Sequence, residues 1–335
     1  MFLDSWSIAL GICGLVVLFL MTYAARSAVR VLLYWDPASD SNRQIRLENE
    51  IWLTSTLVEY ALAVQVVSLA VFVLAADHFS GSIVGAMCAT GSLLADRFGM
   101  PALLVKIGGV FFYGFWIVLH KLDIRSERYP LVRVKYIYLL LLLPLLLADL
   151  VLATLYIGGL KPDIITSCCA VVFGEDAGGG TNLLSGFSHT MTLSLYYGTA
   201  LGLLCAGPVM KRLWRPWGSA LFSGAWLWFF LLSLVAVTTE FSSYIYAMPY
   251  HKCPFCILKP EYGYIGFAIY LTLFAGSFLG MSVIVVEPVR RIAGLAGEVD
   301  RYRKTAILFS LVLLILHVAF SSYHFIRYTF LGGQV

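Results

Sequence analysis

Eight long apolar stretches run along the chain, and short polar segments separate them. A membrane-spanning helix needs about 20 mainly apolar residues to cross a hydrocarbon core about 30 Å thick. The pattern therefore predicts an all-α fold: a polytopic bundle of eight transmembrane helices that forms a single domain over residues 1–335. The predicted spans lie near residues 6–25, 51–76, 101–120, 136–160, 186–209, 218–240, 264–287 and 305–325.

Composition supports the same class of protein. Hydrophobic residues make up 60% of the chain, charged residues only 13%, and the mean hydropathy is +0.85. A soluble domain carries about a quarter charged residues, so soluble enzymes are excluded. No sizeable soluble domain remains between the spans, and the function must lie in the membrane or in short loops. The small net charge of +4 forms no basic patch, and we expect no nucleic-acid partner.

The basic residues predict the orientation, because cytoplasmic loops carry an excess of Lys and Arg. Seventeen of the 23 basic residues fall in the loops that follow spans 1, 3, 5 and 7, whereas five fall on the opposite side. This bias predicts that both termini are extracytoplasmic. We expect an integral protein of a bacterial cytoplasmic (inner) membrane.

The cysteines are distributed unevenly over this topology. Cys13 and Cys205 lie inside predicted spans, while the other five of the seven fall in loops predicted to be extracytoplasmic. These loops would face the periplasm, an oxidising compartment in which disulfides form and persist. The thiols are therefore the first candidates for chemistry.

The loop between spans 6 and 7 contains the most specific motif, Cys253-Pro254-Phe255-Cys256. Two intervening residues let one turn bring both sulfurs together, either for a disulfide or for one metal ion. The neighbouring His251, when protonated, would lower the pKa of Cys253, and Cys256 would then act as the resolving thiol. The alternative is an inert disulfide that pins the loop.

Two further loops add soft donors on the same side. Cys168 and Cys169 are adjacent and can close on each other only through a strained ring, which favours metal capture or thiol exchange; the alternative is a pair of small buried residues. Cys88 brings the outer thiols to an odd number, so that at least one stays free if the others pair. Sulfur and imidazole donors favour Cu(I) or zinc, and we expect copper. The predicted metal ligands are Cys253, Cys256, Cys168, Cys169, Cys88, His251, Met87 and Met248.

Several ionisable side chains are predicted inside the spans, where each needs a partner or water. They indicate a path for protons or for a quinone, or simply pairing between neighbouring helices. Asp149 and His317 would form such a pair if their spans touch. His189 and His324 lie at similar depth, but one pair of histidines is weak support for haem, and we do not expect haem. The ionisable residues are Glu59, Lys106, Asp149, His189, Glu240 and His317.

In the two cysteine loops and the eight-span layout, the chain resembles the multi-span membrane protein encoded with clade II nitrous-oxide reductases. This resemblance implies an accessory role in maturing, or supplying electrons to, a copper enzyme outside the cytoplasm. The cysteine loops are also similar to those of membrane thiol oxidoreductases of the vitamin K epoxide reductase and disulfide-forming quinone types, although those have four spans.

Three functions remain open from the sequence. The first is a membrane accessory protein whose outer cysteines handle copper or thiol redox for a respiratory metalloenzyme, with an extracytoplasmic metalloprotein or thiol protein as partner. The second is a quinone-linked thiol–disulfide oxidoreductase, in which Cys253, Cys256, Cys168 and Cys169 would be catalytic. The third is a structural subunit or a transporter whose loops are held by disulfides.

Overall fold

The computed structural model describes residues 3–35, 41–126, 129–161, 188–212, 216–248 and 251–332. It is 86% helical with no strand in these ranges, and eight of its helical segments are long and apolar enough to cross a membrane. The all-α class and the eight spans are therefore confirmed. Large apolar side chains on the helix surfaces, such as Phe19 at 74% and Leu271 at 71% exposure, indicate a lipid bilayer environment.

The helices are taken in their order along the described part of the chain. The first five are α1 (Ser5–Tyr34), α2 (Asn42–Ser80), α3 (Ala89–Leu94), α4 (Gly99–Asp123) and α5 (Val132–Gly159). The next are α6 (His189–Arg212), α7 (Pro216–Ala236), a π-helical turn (Val237–Phe241), α8 (Ser242–Tyr246), α9 (Ile265–Val286) and α10 (Ala296–Leu331). Helix α3 is too short to cross a membrane, and α7, the π-helical turn and α8 form one continuous span.

Two helices begin well before the apolar runs that predict them. Helix α2 begins at Asn42 and α10 at Ala296, whereas the predicted spans start near residues 51 and 305. The Ser41 side chain caps α2 by accepting a hydrogen bond from the backbone N–H of Gln44 at 3.3 Å. Hydropathy marks where a helix enters hydrocarbon, but a polar sequence can remain helical in water when its first turn is capped.

The described chain divides into two compact units, each with its own set of long helices. The first unit is built from α1, α2, α4 and α5, with α1 and α4 each packed against α2 and α5. A buried ion pair closes the α4–α5 connection: Lys135 Nζ lies 2.7 Å from Asp123 Oδ2, and Asp123 Oδ1 accepts a hydrogen bond from the backbone N–H of Leu131 at 2.8 Å. This arrangement fixes the turn between α4 and α5, and it provides a cation for a carboxylate that is completely buried.

The second unit contains α6 to α9, most of α10 and the segment of residues 85–91. Hydrogen bonds between side chains join its helices: Tyr196 of α6 pairs with Ser321 of α10 at 2.8 Å, and Tyr302 of α10 donates to Ser282 of α9 at 2.8 Å. The segment of residues 85–91 contains Cys88 and the first residues of α3. It contacts the loop between α8 and α9, and it therefore belongs to the second unit.

Candidate metal centre

Three cysteines from two distant parts of the chain meet in the second unit. The Sγ atoms of Cys88, Cys253 and Cys256 all lie within 4.8 Å of one another. The closest pair is Cys88 and Cys253, with Sγ atoms 3.3 Å apart. Cys88 and Cys253 are completely buried and Cys256 is 6% exposed. The structure therefore assembles a compact, buried set of three sulfur donors.

The Cys253–Cys256 pair is held by a tight turn. The chain turns at Pro254 and Phe255 and then forms a 3-10 helix over Cys256–Leu258. Its hydrogen bonds run from the Leu258 N–H to the Phe255 carbonyl at 2.9 Å and from the Lys259 N–H to the Cys256 carbonyl at 3.0 Å. These bonds curl the backbone so that the two thiols, three residues apart, point into one space.

Two tyrosines from neighbouring helices fix this turn through its backbone carbonyls. The Tyr246 hydroxyl, at the end of α8, donates to the Cys253 carbonyl at 2.5 Å, and the Tyr270 hydroxyl of α9 donates to the Pro254 carbonyl at 2.7 Å. Ile257, which is completely buried, lies against Gly266 in the first turn of α9. The loop is thus anchored to both helices that it connects.

The segment that carries Cys88 is tied to the same loop. The Lys259 ammonium donates a hydrogen bond to the Met87 carbonyl at 3.0 Å, and the Thr90 hydroxyl lies 3.5 Å from the sulfur of Cys253. These contacts flank Cys88 on both sides in sequence. They position the third thiol independently of any bond between the sulfur atoms.

The electrostatics of the centre oppose ionisation of the Cys256 thiol. Hydrogen bonding with Cys253 and Cys88, together with burial, raises the pKa of the Cys256 thiol well above its ordinary value. A hydrogen bond with Cys253 raises the pKa of His251, while burial acts in the opposite direction. Three adjacent buried thiols cannot all ionise without a compensating positive charge, and a metal ion supplies that charge while deprotonating its ligands.

His251 is a candidate fourth donor. Its ring packs edge-on against Tyr246, with ring centroids 4.5 Å apart. Its Nε2 atom is buried and has no hydrogen-bond partner among the described residues. A buried polar atom without a partner needs an explanation, and a shift of this ring toward the sulfurs is one way to satisfy it.

Of the other four predicted cysteine and methionine ligands, two lie outside the described residues and two are exposed. Cys168 and Cys169 lie outside the described residues. The side chains of Met87 and Met248 are 66% and 50% exposed, in contrast to the three buried thiols.

The ionisable groups predicted inside the spans are paired within each unit. In the first unit, Lys106 Nζ lies 3.0 Å from Asp149 Oδ1, and Glu59 contacts Lys121. In the second unit, His189 pairs with Glu240 of the π-helical turn. His317 Nδ1 lies 3.1 Å from the Ile269 carbonyl oxygen. Asp149 and His317 therefore each have a polar partner in their own unit, instead of the pairing with each other that the sequence suggested.

Sequence reasoning did not single out several residues that build the centre. Tyr246, Tyr270 and Thr90 have no motif in common, and only the fold brings them to the loop. A partial signal existed for the tyrosines, because a buried phenol hydroxyl usually finds a hydrogen-bond partner. Nothing in the sequence indicates which carbonyl that partner is.

The chain matches no family model, no curated protein and no solved structure. Its class is therefore defined by its own features. In its described residues it is a helical membrane protein with eight helices long and apolar enough to span a bilayer, and with three cysteines buried together.

Proposed function

We propose that this protein binds a soft metal ion, Cu(I), at Cys88, Cys253 and Cys256, on the extracytoplasmic side of the membrane. The single observation that carries the proposal is the convergence of three buried sulfur atoms within 4.8 Å. Sulfur ligands about 2.3 Å from one metal ion lie about 4 Å apart. The spacing of the three thiols therefore suits one shared ion after a small adjustment.

The donor set favours copper over harder metals. Thiolates select soft ions such as Cu(I), and Zn²⁺ is the main competitor because it also binds sulfur. Structural zinc sites are almost always four-coordinate, whereas three sulfurs alone satisfy a trigonal Cu(I) ion. Zinc would need His251 as a fourth ligand, and this difference makes the two metals distinguishable.

The biological role that we propose is an accessory one. The resemblance of the cysteine loops to the membrane protein encoded with clade II nitrous-oxide reductases supports a role in the maturation of, or electron supply to, a respiratory metalloenzyme outside the cytoplasm. The three sulfurs would hold the metal in the membrane protein, and an extracytoplasmic metalloprotein or thiol protein would be the partner. The proposed copper site stands on the sulfur geometry, independently of that partner.

Anaerobic titration of the reduced, full-length protein in detergent tests the site. We expect about one Cu(I) per chain, measured by competition with a chromogenic Cu(I) chelator. Cys253→Ser and Cys256→Ser should each weaken binding by at least about 100-fold, because they remove a ligand instead of a supporting contact. X-ray absorption at the copper edge should report three sulfur neighbours.

The matched control is Cys205→Ser, which removes an exposed cysteine of the same unit. We expect it to leave Cu(I) binding unchanged. Wild-type affinity in the Cys253→Ser and Cys256→Ser variants would end the copper proposal. If the protein binds Cu(I) weakly but binds Zn²⁺ tightly, and the zinc binding is lost in His251→Ala, then the metal of this site is zinc instead of copper.

A second candidate function is thiol–disulfide exchange linked to a quinone. It is favoured by the 3.3 Å separation of the Cys88 and Cys253 sulfurs, which need to approach by little more than 1 Å to reach bonding distance. Oxidation of the two thiols forms one disulfide and releases two electrons and two protons, which a membrane quinone would accept to become a quinol. In its described residues the second unit, which holds Cys88, Cys253 and Cys256, contains three helices long enough to cross a membrane and most of a fourth.

Mass spectrometry of the protein isolated without reductant distinguishes the two functions. The exchange function predicts a Cys88–Cys253 disulfide and, in a Cys253→Ser or Cys88→Ser variant, mixed disulfides with other proteins. Three reduced thiols in native membranes, together with stoichiometric copper, would favour the metal site.

A further inference from the structure

A large cavity lies in the first unit, away from the cysteines in sequence. Its volume is about 850 Å³. Its walls come from one side of α2, the last turn of α4, the α4–α5 connection and the beginning of α5. The residues that line it include Glu48, Trp52, Glu59, Tyr60, Lys121 and Lys135.

The cavity lies at the level of lipid headgroups. The first nine residues of α2, Asn42 to Glu50, are mainly polar, and the apolar run of this helix starts at Ile51. The cavity extends along α2 from Glu48 to Tyr60, so it crosses the boundary between water and hydrocarbon. Trp52 and Tyr60 are both 67% exposed, as is typical of aromatic residues at this boundary.

The wall carries charges of both signs. Glu48 and Glu59 are the acidic residues of the wall, and Lys121 and Lys135 are the basic ones. Lys121 Nζ lies 2.7 Å from Glu59 Oε1. Lys135 Nζ lies 2.7 Å from Asp123 Oδ2, and the Lys135 side chain is only 1% exposed. A phosphate alone would approach the two carboxylates, and an amine alone would approach the two lysines, so neither is complementary to the whole wall.

A buried polar atom at this wall also lacks a partner. His120 is stacked on Trp116, with ring centroids 5.3 Å apart, and its Nε2 lies 3.5 Å from Glu59 Oε2. Its Nδ1 is buried with no hydrogen-bond partner in the part of the chain that the structure describes. Such an atom costs free energy unless a ligand or a water molecule satisfies it.

We propose that this cavity binds the headgroup of a zwitterionic phospholipid with a primary amine, phosphatidylethanolamine. The ammonium of the headgroup contacts Glu59 and Glu48, the phosphate contacts Lys121, and the acyl chains leave past Trp52 and Tyr60. A primary ammonium donates hydrogen bonds to the carboxylates, which the quaternary amine of phosphatidylcholine cannot do. The site is independent of the proposed metal centre.

Native mass spectrometry of the full-length protein in detergent tests the proposal. With added phosphatidylethanolamine, phosphatidylcholine or phosphatidylglycerol, we expect one saturable adduct, with at least about tenfold tighter binding of phosphatidylethanolamine. Glu59→Gln should remove most of this preference, because losing one charge-assisted hydrogen bond typically costs about tenfold in affinity. The matched control is Glu50→Gln on the same helix, since Glu50 does not line the cavity and pairs with Arg30 at 3.1 Å.

A photoactivatable phosphatidylethanolamine on the wild-type protein tests the site without any substitution. Cross-links should map to residues 48–60. Equal affinity for the three lipids, or cross-links spread evenly over the spans, would overturn the proposal. Tight binding of free phosphoethanolamine would overturn the claim that the ligand is a lipid. Displacement of the bound lipid by a short-chain quinone, together with equal affinity for the three lipids, would show instead that the cavity binds a neutral ring.

Discussion

At the scale of single residues, the buried charges show how an ionisable side chain is accommodated in an apolar helix. Lys106 and Asp149 have side chains that are only 6% and 2% exposed and lie 3.0 Å apart. Gln65 donates a further hydrogen bond to Asp149 at 2.5 Å, and the Lys106 ammonium donates to the Ser68 hydroxyl at 3.2 Å. Four side chains thus satisfy one another within the first unit, and the pair needs no ligand.

This network makes a prediction about stability. Lys106→Met should lower the free energy of unfolding by about 3–5 kcal/mol, because it leaves the Asp149 charge buried without its cation. The double variant Lys106→Met/Asp149→Leu should recover much of this loss, since no buried charge remains. Unfolding by a denaturing detergent in mixed micelles measures both effects.

The exposed ion pair Arg30–Glu50 serves as the comparison for the buried pair Lys106–Asp149. Its side chains are 45% and 25% exposed, and such pairs contribute about 1 kcal/mol or less. Glu50→Gln should therefore change stability little. A loss below about 1 kcal/mol in Lys106→Met would show that Asp149 is neutral in the folded protein.

At the scale of elements, the metal centre depends on how closely the first turn of α9 approaches the cysteine loop. A Cβ atom on Gly266 would lie 2.7 Å from Ile257 Cγ1 and 2.8 Å from the Ile257 backbone carbon and oxygen. Real Cβ atoms do not approach backbone so closely, so this position requires glycine. Ile257 directly follows Cys256, and any shift of Ile257 moves the thiol.

Gly266→Ala should therefore weaken Cu(I) binding by about tenfold and lower stability by about 1–3 kcal/mol, the usual cost of overpacking. Chelator competition and detergent unfolding measure the two quantities. The control is Gly202→Ala in α6, where an added Cβ meets no described atom within 4 Å and alanine favours the helix by up to about 1 kcal/mol. Equal copper affinity in the two variants would show that the loop adapts independently of α9.

At the scale of the whole molecule, the arrangement of charges predicts which side of the membrane holds the cysteines. The loop between α8 and α9 and the connection between α9 and α10 lie on opposite sides if α9 spans the bilayer, and the second carries Arg290 and Arg291. Glu261 and Ala293 are exposed residues in these two connections, and each can be replaced by cysteine. In a background without the native cysteines, a membrane-impermeant maleimide should label Glu261→Cys in intact cells, and Ala293→Cys only after the membrane is opened. The reverse pattern would place the metal centre in the cytoplasm.

The sequence by itself determined the number of spans and the all-α class of the fold. The reason is that the cost of placing polar backbone in hydrocarbon leaves few alternatives to a helix of about 20 apolar residues. It also identified Cys253 and Cys256 as a pair, because their spacing is local. It could not show where the helices end in water, as the early starts of α2 and α10 demonstrate.

Only the tertiary structure decided which distant residues meet. Cys88 is separated from Cys253 by 165 residues, and no local pattern encodes that contact. The same holds for the cavity in the first unit, whose walls come from three helices. Hydropathy fixes how each helix relates to the membrane, but the order of helices within a bundle depends on side-chain packing between them, which becomes visible only when the chain is folded.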